Sequence, residues 1–181
     1  MKMHRRGILV LGIGLTLLLS LPALGACAGH EGNGGAQVIA AAGPIQLKAA
    51  PVRIALDANE TLPALLSRLG TGQSLYLVLR DLRTDEQPGV LYHVYLDLPA
   101  GSRPGADDPH YVGTLNFYNA ATSGGFGGPN ARSQSFDVTE VARALRSRGQ
   151  LSERTTVTVV AGGAPAGAAK PEIGRIELAV Q

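Results

Sequence analysis

Four histidines, one cysteine and a pair of adjacent carboxylates are the side chains in this 181-residue sequence best suited to metal or acid–base chemistry. His4 lies in a basic leader and His30 in an Ala- and Gly-rich stretch, which leaves His93 and His110 for a folded domain to place. Residues 91–98 and 111–118 alternate apolar and polar positions and read as the two strands of a hairpin connected through residues 99–110. In that register Leu98 faces Tyr111 and His93 faces Asn116. His110 then lies about five positions along the ladder from His93, on the order of 16 Å at about 3.3 Å per residue. Imidazole nitrogens bind a metal at about 2 Å, so the two histidines are not expected to share an ion. His93 reads instead as a polar-face residue beside Tyr95 and Asp97.

Asp107 and Asp108, next to His110, offer a calcium site only if carbonyls gather around them. Adjacent side chains point apart in an extended chain, and no spaced ladder of Asp or Asn surrounds these two, so a solvated turn is expected. None of the serines from Ser67 to Ser152 sits in a Gly-x-Ser-x-Gly elbow. The Gly-rich stretch 123–129 lacks the lysine, the following hydroxyl and the strand-loop-helix setting of a phosphate-binding loop. Its one large side chain, Phe126, either folds back onto a sheet or contacts a partner. No catalytic residue, metal site or cofactor is expected from these patterns.

The single cysteine belongs to a different chemistry. Residues 1–6 carry Lys2, Arg5 and Arg6, and residues 7–19 are apolar, the order of a secretory signal peptide. The apolar run falls short of the roughly 20 residues of a membrane span. Leu24-Gly25-Ala26-Cys27 then resembles the lipobox of bacterial lipoproteins, which implies lipidation of Cys27 after removal of residues 1–26. Acyl chains contribute about 0.8 kcal/mol per buried methylene, enough to hold an exported protein to an envelope membrane without a spanning helix. The alternative is ordinary cleavage after Ala26 or Ala28, leaving a soluble secreted chain. The formal charge of +2 also belongs to the leader, because without Lys2, Arg5 and Arg6 the remaining 13 basic residues face 14 acidic ones. That balance gives no case for a nucleic-acid partner.

Residues 27–51 hold few large apolar side chains and read as an Ala/Gly-rich tether, unable to bury enough surface to offset ordering. Residues 52–181 suffice for one core. Strands are expected at 52–56, 74–82, 91–98, 111–118, 133–138, 155–160 and 173–180. The clearest have Leu75, Leu77 and Leu79, or Tyr92, Val94, Leu96 and Leu98, on one face. The fold class is mainly β, an antiparallel β-sandwich of about seven strands. Two short helices interrupt it. One, around Thr61 to Leu69, has Pro63 in its first turn and Gly70 past its end. The other starts at Asp137-Val138-Thr139-Glu140, a capping-box-like sequence, runs through Val141, Ala142 and Leu145, and stops at Gly149.

The order of three blocks carries a family resemblance. Leu91-Tyr92-His93-Val94-Tyr95-Leu96-Asp97-Leu98-Pro99, then Tyr111-Val112-Gly113-Thr114-Leu115, then Ser135-Phe136-Asp137-Val138-Thr139 with the closing Ile173-Gly174-Arg175-Ile176-Glu177, resemble the C-terminal domain of tyrosinases and polyphenol oxidases. In plant members the first block reads Lys-Phe-Asp-Val followed by an aromatic; here Leu91-Tyr92-His93-Val94-Tyr95 keeps the aromatic and valine places and loses the charged ones. The resemblance extends over residues 52–180 and implies a β-sandwich that packs on a dinuclear-copper catalytic domain and shields its entrance. By the same resemblance six imidazole ligands hold the copper pair, and this sequence lacks them.

The expectation is therefore a non-enzymatic, exported accessory domain, lipid-anchored through Cys27, that binds or shields a separate tyrosinase-like copper oxidase. Phe126 is a candidate plug by its place on a loop. The alternative is a structural envelope lipoprotein that contacts polysaccharide or another envelope protein, with Tyr95 and Tyr118 as candidate stacking residues.

Overall fold

Leu75, Leu77 and Leu79 expose none of their surface, as their alternation along the sequence requires. The computed structural model describes residues 35–105, 107–118, 120 and 132–181. In chain order these form β1 (Gln37–Ala42), β2 (Ile45–Gln46), β3 (Val52–Ala55), β4 (Asp57–Ala58), α1 (Leu62–Arg68) and β5 (Leu75–Arg83). There follow β6 (Tyr92–Leu96), β7 (Tyr111–Leu115), β8 (Arg132–Asp137), α2 (Thr139–Ser147), β9 (Thr156–Ala161) and β10 (Glu172–Val180). The larger sheet runs β4-β1-β10-β5-β8 with β2 also on β10, and the smaller runs β3-β9-β6-β7. Both are antiparallel and close on one apolar cluster that includes Leu77, Leu79, Val94, Leu96, Val157 and Ile176. This is the expected β-sandwich. Each fully buried leucine contributes about 1.5–3 kcal/mol relative to exposure.

All seven expected strands are present, and β1, β2 and β4 come in addition. The expected tether is therefore part of the fold over residues 37–47. β1 pairs with β10 from Gln37↔Val180 to Ala42↔Ile176, β2 continues on β10, and Leu47 is buried. The reason is that a ladder is made by backbone groups, which need partners whatever side chains they carry. Alanines that add little apolar surface can still cover the edge of a long strand.

The β6–β7 hairpin has its own correction. Tyr92 faces Leu115 and His93 faces Thr114, two residues from the expected register, before a bulge at Val94 and Tyr95 brings Tyr95 opposite Tyr111. Ahead of the bulge the slip is even and leaves the side chains on their expected face; past it the slip is odd, which the bulge accommodates.

Both open sides of the sandwich are closed. On one, the chain passes from β3 in the small sheet to β4 in the large sheet through Leu56, which is 1% exposed. On the other, Gln134 Nε2 of β8 donates to Thr114 O of β7 at 2.6 Å, and Phe136 lies so close over Gly113 that a Cβ there would meet its ring at 2.6 Å.

Thr61 caps α1 by accepting from Ala64 N, with Pro63 in the first turn. α2 ends as expected at Gly149 (φ +67), where Gly149 N donates to Arg146 O and Gln150 N to Leu145 O, a Schellman pattern. Its start differs from the expected box. Val138 occupies the N-cap position, Asp137 Oδ1 accepts from Thr139 N at 2.9 Å, and Glu140 pairs with Arg143 instead of reaching back. Thr139 Oγ1 accepts from Leu75 N at 2.8 Å, which ties the helix start to the start of β5. The ladder between β5 and β8 ends there, so a side chain satisfies the buried Leu75 donor.

Candidate functional site

Four residues carry the functional expectations, and two of them, Cys27 and Phe126, lie outside the described residues. Tyr95 is not a surface residue. It is 2% exposed, its ring meets that of Tyr111 edge-on at 5.6 Å, and burial, followed by the Asp108 and Tyr111 charges, pushes its phenol up. It does lie on the face opposite Val94 and Leu96, but the outer face of the small sheet is itself covered there. Tyr95 is a packing residue of that face.

Tyr118 is 74% exposed, and local structure explains why. Phe117 before it is buried with its ring T-shaped against Tyr92 at 5.6 Å, and Ala120 N donates to Phe117 O at 2.9 Å to close a turn. Tyr118 N donates to Asn116 Oδ1, which ties the exposed residue to the end of β7. Leu91, 53% exposed, stands at the same end of the small sheet, since Tyr92 next to it pairs with Leu115 just before Asn116. Tyr118 beyond β7 and Leu91 ahead of β6 thus present an aromatic and an aliphatic side chain to solvent at this end of the sheet.

Asp97, a polar-face strand residue by its sequence pattern, has a further role that the pattern does not reveal. It is 2% exposed and in the left-handed region (φ +49). Its Oδ1 accepts from Thr156 N at 2.7 Å and from the Thr156 hydroxyl, and its Oδ2 accepts from Ser152 N at 3.0 Å. Burial raises the Asp97 carboxyl above its ordinary range, against these hydrogen bonds and the Arg53 charge. The Arg53 guanidinium donates to Leu98 O beside it. The cluster fastens the end of β6 to the connection between α2 and β9, and its acceptors are used up by the chain itself.

Glu177 is a second buried carboxylate that the sequence does not mark. It is 7% exposed, between Arg80 Nε at 2.6 Å and Arg175 Nε at 2.7 Å. Burial alone would raise this carboxyl, yet the hydrogen bonds and charges of the two arginines together hold it below its ordinary value. An isolated Glu in an alternating strand gives no sign of this; the partner Arg80 comes from another strand.

The histidines do not converge. His93 is half-buried with its ring 6.0 Å from that of Tyr111, whereas His110 is 3% exposed with Nδ1 2.8 Å from Leu96 O. Leu96 N donates to His110 O, so His110 stands beside Leu96 at the end of the ladder. Asp108 Oδ1 accepts from His110 N in the local turn, as a loop acid does. Among the described residues no three His, Cys, Asp or Glu side chains gather as a metal site. These residues do not fit a dinuclear copper centre, because one imidazole is committed to a carbonyl and the other faces an aromatic ring.

Two antiparallel sheets around one core define a β-sandwich module of the type that forms the C-terminal domain region of plant polyphenol oxidases, a non-catalytic region. The structure of latent apple tyrosinase matches 76% of this chain over 27% of its own, at 14% identity and a TM-score of 0.50. Two structures of recombinantly expressed latent aurone synthase, a polyphenol oxidase, match 75% and 77% of this chain over 26% and 25% of theirs, with identities of 15% and 17% and TM-scores of 0.49 and 0.47. This chain thus spans about a quarter of the length of those proteins. The chain belongs to the family described as Domain of unknown function (DUF7868), whose model matches residues 35–181. That match begins two residues before β1, ahead of the expected boundary at Val52. No curated protein matches the sequence.

Proposed function

We propose that this domain is a non-enzymatic accessory module that binds or shields a separate copper phenol oxidase of the tyrosinase type. It is exported and held at an envelope membrane by acylated Cys27. The supporting observation is the fold it has in common with the C-terminal domain region of latent apple tyrosinase. The contact is made by the end of the small sheet where Tyr118 and Leu91 stand exposed. An aromatic side chain, with few torsions to fix, loses little conformational freedom when a partner covers it, which favours binding there.

The chain purified from detergent-extracted membranes is expected to bring down a copper oxidase and to lower its diphenol oxidation on reconstitution. Mass spectrometry of the N-terminal peptide is expected to show a diacyl or triacyl modification on Cys27. A monomer that binds no such oxidase and leaves its activity and copper content unchanged overturns the proposal. The exposure of Tyr118 also favours a second reading, stacking on an envelope polysaccharide, which retention on isolated cell-wall glycan separates from the first.

A further inference from the structure

The chain between β4 and α1 reads Asp57-Ala58-Asn59-Glu60-Thr61, with Asp57 and Ala58 forming β4 itself. Asn-x-Thr without an intervening proline is the acceptor triplet of N-linked glycosylation. Asp57, two positions before the asparagine, adds an exposed carboxylate that an enzyme gripping the loop can use as a charged handle. We infer that Asn59 is an N-glycosylation site, its donor a glycan carried on a polyprenyl diphosphate.

Three features of the loop support access. Asn59 is exposed at a bend and its carboxamide makes no hydrogen bond among the described residues. Thr61 is extended (φ −75, ψ 149) and its hydroxyl accepts only from Ala64 N, at a long 3.4 Å, so the group can turn toward an enzyme. The Asp57 side chain is 85% exposed and its partner Arg154 is 67% exposed, a solvated pair that competes weakly for the carboxylate. Beside the loop, an open cleft of about 350 Å³ between residues 56–61 and 153–155 leaves room for a first sugar. The local fold accounts for Thr61 as a helix cap and for Glu60 through its pair with Arg68, but gives Asn59 no structural task.

In the transfer, a bond forms between Asn59 Nδ2 and the anomeric carbon of the glycan, and the bond from that carbon to the diphosphate oxygen breaks. The electron pair leaves with the polyprenyl diphosphate, the amide nitrogen gives up one proton to solvent, and nothing is oxidised or reduced. The inference rests on the export part of the proposed function and is independent of any oxidase.

The test takes the full chain from the envelope of its own cells and digests it with trypsin. Arg53 and Arg68 bound a peptide of residues 54–68 in which Asn59 is the sole asparagine. Expected is a glycan-sized mass gain with sugar fragment ions on that peptide, lost in Asn59→Gln and kept in Thr61→Ser, which retains the helix cap. A peptide found only at its unmodified mass overturns the inference, as does a glycan that persists in Asn59→Gln. The N-terminal peptide of the same digest separates the causes: an intact leader means export failed, and a processed one means that Asn59 is not an acceptor.

Discussion

Asp97 and Thr156 are joined twice: Asp97 N donates to Thr156 O at 2.8 Å, and Thr156 N donates back to the Asp97 carboxylate at 2.7 Å. With Ser152 N on the other carboxylate oxygen, one buried side chain fixes where β6 ends and where β9 begins.

Replacing Asp97 by Ala leaves the Ser152 and Thr156 N–H groups without their acceptor. Each donor left unpaired costs about 1–3 kcal/mol, with part-buried Ser152 at the low end, so a total loss of about 2–4 kcal/mol is expected, read from the urea unfolding midpoint. Asp97→Asn, which keeps one acceptor oxygen, should lose less. Equal stability of Asp97→Ala and the parent would refute the assigned role.

The two buried carboxyls predict opposite pH slopes. Burial places the folded Asp97 carboxyl above its ordinary value of 3.8, so the folded state holds that proton more tightly. Stability therefore falls as pH rises from 3.8 through the raised folded value, and is level above it. Glu177 is depressed below 4.5, so its stabilisation is present above 4.5 and lost as pH falls through the folded value. Unfolding curves across the acid range should show Asp97→Asn removing the first slope and Glu177→Gln the second.

Gly174 faces Asp81 across β10 and β5, and a Cβ on it would meet the Asp81 Cβ at 2.6 Å; on Gly43 it would meet Gly174 O at 2.5 Å. Gly174→Ala and Gly43→Ala should each cost about 1–3 kcal/mol through forced backbone shifts. Gly167 is the control, because a Cβ added there would meet nothing within 4 Å. Gly167→Ala should leave the thermal midpoint unchanged.

Tyr95 and Tyr118, both candidate surface contacts by sequence, should separate in their effects. Tyr118→Ala is expected to change folding stability by no more than about 0.5 kcal/mol, and to weaken oxidase binding by about 2 kcal/mol if Tyr118 anchors the contact. Tyr95→Ala empties part of a packed face and should cost about 3 kcal/mol or more. Calorimetric unfolding and a binding titration on the same two variants provide the comparison.

Asp81 also shows where pattern reading stops. Alternation places Leu75, Leu77 and Leu79 inward, and extending it would turn Leu82 outward, yet Leu82 is buried. The left-handed Asp81 (φ +55) moves the phase by one residue, and opposite it Ile173 and Ile176 are both buried around Gly174. A single strand does not announce such a paired shift, because each half is tolerable only in the presence of the other. The same limit hid β1, whose alanines bury little and whose strand exists because β10 needs a partner.

The sequence by itself determined the class of fold, the seven main strands, the inward faces of β5 and β6, and both helices with the glycine stop of α2. These follow from periodicity and from local backbone chemistry, which act within a few residues. Tertiary structure decided the rest: the start of the domain at β1, the burial of Tyr95 and the commitment of Asp97 to Thr156 and Ser152. Each of those depends on which distant segment lies alongside, 59 residues away for Thr156, and burial and hydrogen bonding belong to that neighbour as much as to the residue itself.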